Sequence, residues 1–339
     1  FLCSITFDLS IMLRVAINGF GRIGRTVLKA GWDRKGVQFV AVNDLTEPAT
    51  LAHLLKYDSV FKTWNHEVTS DDHNVIIDGK KLPVVAEMEP AKLPWAKYKV
   101  DVVIESTGRF TDKTSAGAHL TAGAKKVVIS APAKEVPTFL MGVNHKSVTK
   151  KDTIVNNASC TTNSIAPVAQ IMHEVFGVKK AMMTTVHSVT AEQNIVDGLP
   201  PKLHPDLRRA RAALINIVPT STGAAKATSE AVPDLKDKFD GIAIRVPSID
   251  VSLSDFTFVV KKRTTAEEVN AAFKKAAATP RWKGILAVTN EPLVSTDFVG
   301  NPHSSIVDLL MTRVVDGDLV KVLAWYDNEW GYSVRLMDM

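Results

Sequence analysis

Cysteine is scarce in this sequence, and long apolar runs are missing. Two cysteines occur among 339 residues, Cys3 and Cys160, so a disulfide framework is excluded and a reducing, cytoplasmic setting is favoured. No apolar run approaches the roughly 20 residues that a membrane-spanning helix needs, so we expect no membrane partner. The composition, 45% hydrophobic and 23% charged, is typical of a globular protein.

An excess of either charge is lacking too. The formal net charge is only +5, and the basic residues are scattered in pairs such as Lys261-Lys262. Zinc-finger spacings, aromatic RNA-binding strings and basic heptad helices do not occur, so nucleic-acid partners are not favoured and no metal site is expected. A mildly basic surface fits small anionic substrates better.

The length of the chain predicts two domains, because 339 residues are too many for one ordinary core. Residues 1–11 precede Met12 and lack the basic start and the cleavage site of a signal peptide, so we interpret them as a fringe outside the fold. We expect a first domain at 12–159, a second at 160–325, and a C-terminal segment at 326–339 that returns to the first.

Apolar strands alternate with helical segments in the first domain. This alternation is typical of βαβ units and of an α/β domain with a parallel, doubly wound sheet. The predicted strands are LRVAIN (13–18), VQFVAVN (37–43), DVVIES (101–106), KKVVIS (125–130) and TIVNN (153–157), and the predicted helices are Arg22–Trp32 and about 112–122.

The second domain has a different pattern. After Cys160, apolar residues from Ile165 to Phe176 recur at helical spacing and predict an amphipathic helix. The later strands are longer and alternate in polarity, which favours a mostly antiparallel or mixed sheet in an α+β domain. They are 179–187, 241–247, 250–260 and 319–327, with helices at 223–232 and 265–278. The segment 188–209 has three prolines and no period, which predicts a long functional loop.

A glycine turn, GFGRIG, joins the first strand to the first helix. Gly19, Gly21 and Gly24 have the GxGxxG spacing, in which the glycines permit a tight turn, approach to a pyrophosphate and close packing of the helix. Asp44 follows about 20 residues later, where a carboxylate binds an adenosine ribose. These features predict a Rossmann site, and Asp44 favours NAD over NADP because it repels a 2′-phosphate. The alternative is a βαβ turn without a ligand, in which Asp44 caps the next segment.

Cys160 is the one thiol within the expected fold, and it lies among small polar residues in NNASCTTNS. A structural cysteine prefers apolar neighbours, whereas a thiol at a helix N-terminus has a lowered pKa and is a better nucleophile. His187 ends a predicted strand where the long loop begins, and binding sites are commonly built at such places. The two residues are therefore candidates for nucleophilic catalysis, although most histidines have no such role.

Six strings occur in a fixed order between about Met12 and the C-terminus: ASCTTNS, TTVHSVT, DLRRARA, PTSTGAAKA, RVPS and WYDNEWGYS. Together they resemble phosphorylating glyceraldehyde-3-phosphate dehydrogenase of the NAD-dependent type I. The resemblance implies a cytoplasmic homotetramer of glycolysis and gluconeogenesis. It implies oxidation of D-glyceraldehyde 3-phosphate with NAD and inorganic phosphate to 1,3-bisphosphoglycerate, through a cysteine thioester.

The resemblance also implies roles for single residues. Cys160 would be the nucleophile with His187 as its base, and Thr190 and Arg245 would bind the substrate's own phosphate. The positions implied for the attacking phosphate are Ser159, Thr161, Thr222 and Gly223. Those implied for NAD, besides the three glycines, are Arg22, Ile23, Asp44, Met88, Ser130 and Asn328. From the residues alone, Arg245 also fits an ion pair, and Thr222-Gly223 fits helix capping equally well.

The sequence departs from the family pattern at several places. Ser164 stands where many members have a second cysteine, and the chemistry should survive because that thiol is not the nucleophile. Glu192 stands near the expected substrate phosphate, where relatives often have Asp or Thr. The loop 188–209 is longer than usual, which bears on cofactor choice and on assembly. The chain ends at VRLMDM, short of the family's usual final helix, from which we expect weaker stability.

Three other functions stay open at this point. Erythrose-4-phosphate dehydrogenase shares the scaffold but needs no attacking phosphate, and the intact STG at 221–223 favours the triose enzyme. Aspartate-semialdehyde dehydrogenase has a similar architecture, but TTVHSVT and WYDNEWGYS argue against it. An NAD-binding module without turnover is disfavoured, because it needs no acyl-transfer set such as Cys160 with His187 and Arg245.

Overall fold

The structure, a computed structural model, describes residues 12–200 and 206–339. The expected fringe at 1–11 lies outside these residues. The described chain falls into two compact units. The first extends to Val136 and includes Lys151–Val155, and the second consists of Pro137–Lys150 and Asn156–Met339. The domain boundaries expected from the sequence stay predictions.

An eight-stranded sheet forms the centre of the first unit. The elements in this part of the chain are β1 (Leu13–Asn18), α1 (Arg22–Gly31), β2 (Val37–Asn43), α2 (Pro48–Lys56), β3 (Tyr57–Asp58), β4 (Lys62–Thr63), β5 (Val68–Ser70), β6 (Asn74–Ile77), β7 (Lys80–Val85), β8 (Val102–Glu105), α3 (Lys113–Thr121), β9 (Lys126–Ile129) and β10 (Ile154–Asn156). The strand order is β10-β9-β8-β1-β2-β7-β6-β5. Strands β9, β8, β1, β2 and β7 are parallel, whereas β6 is antiparallel to both of its neighbours. The predicted parallel sheet is confirmed.

Continuous apolar sequence explains the parallel strands. The inner residues of β1 and β2, such as Ile17 and Val42, are completely buried, as expected for strands that are covered on both faces. By contrast, the strands from β3 to β7 are 2 to 6 residues long and join through tight turns. Such short segments carry little periodic signal, and for this reason the sequence predicted no elements between 44 and 100.

A seven-stranded mixed sheet forms the centre of the second unit. Its elements are α4 (Cys160–Phe176), β11 (Val178–His187), β12 (Val218–Ser221), α5 (Ala224–Ala231), β13 (Phe239–Arg245), β14 (Ser252–Val260), α6 (Ala266–Ala277), β15 (Leu286–Thr289), β16 (Ser305–Val315), β17 (Leu319–Tyr326) and α7 (Trp330–Asp338). The strand order is β12-β13-β11-β14-β17-β16-β15. The pairs β11/β13 and β15/β16 are parallel, and the other pairs are antiparallel. The predicted mixed sheet is confirmed.

The helix α4 begins at Cys160 because Ser159 caps it. The Ser159 side chain accepts a hydrogen bond from the Thr162 N–H, which would otherwise have no partner at the start of the helix. The predicted apolar stripe, which begins at Ile165, is buried in the core of the second unit except for Val175, which is exposed. Pro167 lies inside the helix and removes one intrahelical hydrogen bond without ending it.

The register of the second sheet positions two candidate site residues. Strand β11 is parallel to β13, and His187 pairs with Arg245 at the last residue of both strands. Strand β14 pairs with β11 on the other side, so β11 lies inside the sheet and its end is fixed by two neighbours. The chain that follows, 188–200, forms no helix or strand, as predicted for this part of the loop.

Candidate active site

Cys160 and His187 meet where α4 begins and β11 ends. The Cys160 Sγ lies 3.5 Å from the His187 Nε2. The thiol is half-buried, and the imidazole is 3% exposed. At this distance a proton can pass from sulfur to nitrogen, so the two residues can form a nucleophile and its base.

The other ring nitrogen of His187 fixes its tautomer. The Nδ1 lies 2.7 Å from the carbonyl oxygen of Ser188. Two acceptors would repel each other at that distance, so Nδ1 carries the proton and donates it to the carbonyl. The Nε2 near Cys160 is therefore an acceptor, which is the form that a general base needs.

Arg245 lies beside the same imidazole. Its Nη1 donates to the Ser188 carbonyl oxygen at 3.0 Å and to the Thr190 Oγ1 at 3.1 Å, which uses both of its hydrogens. The same Nη1 is 2.9 Å from the His187 Nδ1, so two N–H donors are close together there and a positive charge on the ring is disfavoured. A guanidinium with a threonine hydroxyl beside it suits a phosphate group.

The protonation of the pair differs from the sequence prediction. A helix N-terminus was expected to lower the pKa of Cys160, but burial raises it to about 11, against the opposing effects of Arg245 and Thr161. Burial lowers the pKa of His187 to about 3, and the charge of Arg245 acts in the same direction. At Cys160, loss of hydration thus outweighs the charge of Arg245 and the hydrogen bonds at the start of α4. At neutral pH the site therefore contains a neutral thiol and a neutral imidazole.

A chain of hydroxyl groups lies beneath the cysteine. The Tyr326 hydroxyl is 2.9 Å from the Thr161 Oγ1 and 2.8 Å from the Thr185 Oγ1, and all three residues are buried. The Tyr326 ring meets His187 edge-on, with 6.0 Å between the ring centroids. Burial raises the pKa of Tyr326 well above its ordinary value, so its hydroxyl stays protonated. Sequence reasoning gave Tyr326 no role, because only the strand order places β17 near α4.

Arg209 is a second cation near the site that sequence reasoning missed. It is 4% exposed, and its Nε donates to the Thr220 Oγ1 at 3.0 Å. Glu192 approaches its Nη1 at 3.5 Å. Burial lowers the pKa of Arg209, and the nearby charge of Arg245 acts in the same direction. Two guanidinium groups close enough to disfavour each other's charge create a strong preference for anions. The pair of arginines in DLRRARA was the feature of the sequence from which Arg209 could have been predicted.

The residues predicted for the attacking phosphate lie at two helix starts. Ser159 and Thr161 flank Cys160, with Ser159 capping α4 and Thr161 bonded to Tyr326. Gly223 is the exposed N-cap of α5, and the Thr222 Oγ1 accepts the Ala224 N–H at 3.2 Å. In this structure the Thr222 hydroxyl thus caps the start of α5, which was the other interpretation that the sequence allowed. In the described part of the chain, no hydrogen bond joins Thr222 or Gly223 to Cys160.

A second candidate site lies in the first unit, at the ends of its parallel strands. A cavity of about 290 Å³ is lined by residues that include Gly19, Gly21, Asp44 and Met88. The Asp44 carboxylate accepts the backbone N–H groups of Phe20 and Thr46, which fixes its orientation at the edge of the cavity. Four predicted cofactor residues thus share one cavity.

Glycine is suited to each of the three positions of the turn for a different structural reason. Gly19 has a φ of +90°, and a Cβ there would lie 2.7 Å from the Thr107 nitrogen. A Cβ on Gly24 would lie 2.2 Å from the Gly19 carbonyl oxygen, so only glycine lets α1 start this close to the turn. A Cβ on Gly21 would meet nothing within 4 Å. Gly21 therefore leaves space beside the N-terminus of α1, where a pyrophosphate binds in such folds.

A buried polar network adjoins this cavity, and two of its residues, Asn18 and Asn43, line it. Asn18, Asn43 and Glu105 are the last residues of β1, β2 and β8, and all three are buried. The Glu105 carboxylate accepts hydrogen bonds from Asn18 and from His119, whose Nε2 is 2.9 Å away. The Asn18 Oδ1 accepts from the Asn43 amide. Sequence reasoning missed this network, although a polar residue at the end of each apolar strand was a visible signal.

The remaining residues predicted to contact NAD lie in several places. Arg22 and Ile23 are the first residues of α1, and Arg22 forms an ion pair with Asp58. Ser130 follows β9, and its N–H donates to the Glu105 carbonyl oxygen at 2.9 Å. Asn328 belongs to the second unit.

Comparison with known proteins identifies the family. A family model described as "Glyceraldehyde 3-phosphate dehydrogenase, C-terminal domain" matches residues 159–328, and one described as "Glyceraldehyde 3-phosphate dehydrogenase, NAD binding domain" matches 13–113. The chain belongs to the glyceraldehyde-3-phosphate dehydrogenase family. The resemblance found in the sequence is confirmed.

Named members of the glyceraldehyde-3-phosphate dehydrogenase family match nearly the whole chain. Glyceraldehyde-3-phosphate dehydrogenase 1 of Bacillus cereus is 54% identical over 330 residues, which are 97% of this chain and 97% of that protein. The Geobacillus stearothermophilus enzyme is 54% identical over 329 residues (96% and 97%), and the Zymomonas mobilis enzyme is 53% identical over 330 residues (96% and 97%). The match to the NAD-binding domain confirms NAD as the cofactor of this family member. The glycine turn and its cavity fit that cofactor.

Proposed function

We propose that this protein oxidises and phosphorylates D-glyceraldehyde 3-phosphate, with NAD and inorganic phosphate, to 1,3-bisphosphoglycerate. The observation that carries the proposal is the Cys160 thiol at 3.5 Å from the acceptor nitrogen of His187, with Arg245 on the other side of the ring. The reaction requires a nucleophile, a base and an anion site within one cluster, and these three residues supply them. The relatives named above are called glyceraldehyde-3-phosphate dehydrogenase, which supports this substrate and its oxidation.

The first step would form a bond between sulfur and the aldehyde carbon. His187 Nε2 takes the thiol proton, the sulfur adds to the carbonyl, and the resulting alkoxide takes the proton back to give a hemithioacetal. Backbone N–H groups at the start of α4 are suited to stabilise that oxyanion. His187 then takes the hydroxyl proton while the carbon is oxidised to a thioester. NAD would be the oxidant, because it accepts the hydride that leaves the carbon.

The second half-reaction would release the product from sulfur. A phosphate oxygen attacks the thioester carbon, the carbon–sulfur bond breaks, and the thiolate accepts the proton held by His187. A thioester keeps enough free energy for an acyl phosphate, whereas a serine ester would dissipate much of it. The need for this intermediate explains a cysteine among small polar residues.

Two anion sites are proposed beside the thiol. Thr190 and Arg245, which are already hydrogen bonded to each other, would bind the phosphate of the substrate. The attacking phosphate would be bound at the starts of α4 and α5, where free N–H groups favour anions. The residues proposed for it are Ser159, Thr161, Thr222 and Gly223.

The cofactor would be held mainly by the glycine turn. Gly19, Gly21 and Gly24 leave room for its pyrophosphate, and Asp44 would bind the adenosine ribose and select NAD over NADP. Other contacts are proposed for Arg22, Ile23, Met88, Ser130 and Asn328.

We further propose that the protein is a cytoplasmic homotetramer. Apolar side chains in the chain after β11 support self-association, since they are at least 70% exposed: Ile195, Val196, Leu199, Leu207, Ile215 and Ile217. Backbone hydrogen bonds from Gly198 to Ala210 and from Ala213 to Asn194 join the two parts of this segment into one surface. A second copy of the chain is a fitting partner for such a surface. In the described residues, no helix is long and apolar enough to cross a membrane.

The test is NADH formation from glyceraldehyde 3-phosphate with and without inorganic phosphate, for the wild type, Cys160→Ser and Cys3→Ser. We expect phosphate-dependent turnover in the wild type and in Cys3→Ser, and none in Cys160→Ser. Turnover with erythrose 4-phosphate that needs no phosphate would favour the erythrose enzyme. NAD binding without turnover of either aldehyde would contradict the proposed enzyme. Light scattering of the same samples tests the tetramer.

A further inference from the structure

Ser252 is the first residue of β14, the strand between β11 and β17. It pairs with Tyr326 at the end of β17, and β14 also pairs with β11, which carries His187. Ser252 thus lies between two strand ends that lead to proposed site residues. It is 1% exposed, and neither the sequence nor the proposed mechanism gives it a role.

The hydroxyl of Ser252 makes hydrogen bonds to two different neighbours. It donates to the Asn328 Oδ1 at 2.7 Å and accepts the backbone N–H of Ser188 at 3.1 Å. Because the oxygen already accepts an N–H, its own hydrogen needs an acceptor, and the amide oxygen of Asn328 is one. This requirement fixes the orientation of the Asn328 amide, with Oδ1 rather than Nδ2 facing Ser252.

This orientation decides what Asn328 presents to a ligand. With Oδ1 committed to Ser252, the amide has its Nδ2 donors and one remaining lone pair on Oδ1 for other partners. NAD carries both hydrogen-bond donors and acceptors, so its binding depends on which end of the Asn328 amide meets which group. Loss of the Ser252 hydroxyl would let the amide rotate and weaken that binding.

The other hydrogen bond of Ser252 holds the backbone of Ser188, whose carbonyl oxygen orients His187. Ser188 is bonded twice to the start of β14, since its N–H reaches Ser252 and its Oγ donates to the Val251 carbonyl oxygen at 2.7 Å. Val251 has a φ of +66°, a strained conformation for a β-branched residue, so these contacts hold a backbone that would otherwise relax. The Ser188 carbonyl in turn accepts from the His187 Nδ1.

We propose that Ser252 is a positioning residue for both parts of the reaction. Its hydrogen sets the amide orientation that Asn328 presents to NAD, and its oxygen holds the backbone of Ser188, whose carbonyl keeps His187 in the tautomer able to accept the thiol proton. The inference rests on the proposed function, because it uses the roles of Asn328 and His187 given there.

Ser252→Ala tests the proposal, with Ser254→Ala as the matched control. Ser254 lies on the same strand, is 0% exposed, and its hydroxyl has no hydrogen-bond partner within the residues that the structure describes. Both variants remove one buried hydroxyl from β14, and thermal unfolding measures any general effect on stability. We expect Ser252→Ala to raise the Kd and the KM for NAD by about 3- to 10-fold, the effect of one lost hydrogen bond. It should also change the pH profile of Cys160 alkylation, whereas Ser254→Ala should change neither property.

A variant of Asn328 supplies the second test. If Ser252 acts on NAD through the amide, Ser252→Ala should cause no further loss of NAD affinity in an Asn328→Ala background. Additive losses would overturn this part of the proposal. An unchanged Kd for NAD and an unchanged alkylation profile in Ser252→Ala would overturn all of it. Neither measurement needs turnover, so these results are distinct from a failure of the proposed function, which would be absence of phosphate-dependent NADH formation in the wild type.

Discussion

His187 and Arg245 lie opposite each other at the ends of two parallel strands, with 2.9 Å between the His187 Nδ1 and the Arg245 Nη1. Burial lowers the pKa of the imidazole to about 3, and this guanidinium contributes in the same direction. Burial also raises the pKa of the neighbouring thiol to about 11, although the charge of Arg245 acts against it. The pair is therefore neutral at neutral pH.

Alkylation of Cys160 in the ligand-free protein should follow this raised pKa. Only the thiolate reacts, so the rate with iodoacetamide should keep rising between pH 7 and 9.5, by up to about tenfold per pH unit. The Cys160→Ser variant corrects for alkylation of Cys3. A plateau reached below pH 7 would contradict the prediction, because it would mean that the thiolate and the imidazolium already exist in the free protein.

Arg245→Gln should weaken catalysis in a way that depends on the substrate's phosphate. For glyceraldehyde 3-phosphate we expect kcat/KM to fall at least about 30-fold, because loss of one partner of a charged hydrogen-bonded pair costs about 2 kcal/mol or more. Unphosphorylated glyceraldehyde cannot use the guanidinium, so its slower turnover should change much less. Steady-state kinetics with both aldehydes measure the two effects. Equal losses for both would assign Arg245 to His187 rather than to the phosphate.

Two glycine substitutions should separate cofactor binding from folding. Gly21→Ala adds a methyl group in open space, so we expect a nearly unchanged melting temperature but a much higher Kd for NAD. Gly24→Ala places a Cβ at 2.2 Å from the Gly19 carbonyl oxygen, so it should destabilise the first unit, by about 1–3 kcal/mol. Calorimetric unfolding and NAD titration of both variants measure the difference. Normal NAD affinity in Gly21→Ala would refute the proposed pyrophosphate position.

Asp250 should make stability depend on pH. Burial, together with the charges of Asp327 and Glu329, raises its pKa from 3.8 to about 9. Since the folded protein binds this proton more tightly than the unfolded chain, the stabilising contribution is complete below about pH 4 and is lost as the pH rises toward 9. Asp250→Asn cannot ionise, so it should be more stable than the wild type at pH 8, by about 1–3 kcal/mol, with a smaller gain at pH 5.

Thermal unfolding from pH 5 to 8.5 checks the Asp250 prediction. The exposed Asp72 offers a matched control, because Asp72→Asn makes the same chemical change on the surface. Parallel pH dependence in the wild type and in Asp250→Asn would show that Asp250 titrates normally.

The sequence predicted best where structure follows from local pattern. Strands β1 and β2 have the predicted bounds, Leu13–Asn18 and Val37–Asn43, because continuous apolar runs are bounded there by glycines and polar residues. The apolar stripe from Ile165 predicted helix α4 in the same way, whereas the Ser159 cap sets its start at Cys160.

Features that depend on strand pairing could not be predicted. Tyr326 reaches Thr161, and Ser252 reaches Asn328, only through the strand order of the second sheet, which no local pattern encodes. The prediction of a lowered pKa for the Cys160 thiol was wrong for a related reason. Helix position is visible in the sequence, whereas the burial that outweighs it arises only after distant segments pack together.

Three side chains of the candidate site occupy boundaries of regular elements: Cys160 begins α4, while His187 and Arg245 end β11 and β13. Their positions are set by the residues inside those elements, and the chain leaving His187 has no part in the register. Exchanges at 191–200 should therefore leave the reacting atoms in place, even where they alter the exposed apolar surface that we propose for self-association. For an engineer, assembly could be changed at that segment without redesigning the chemistry.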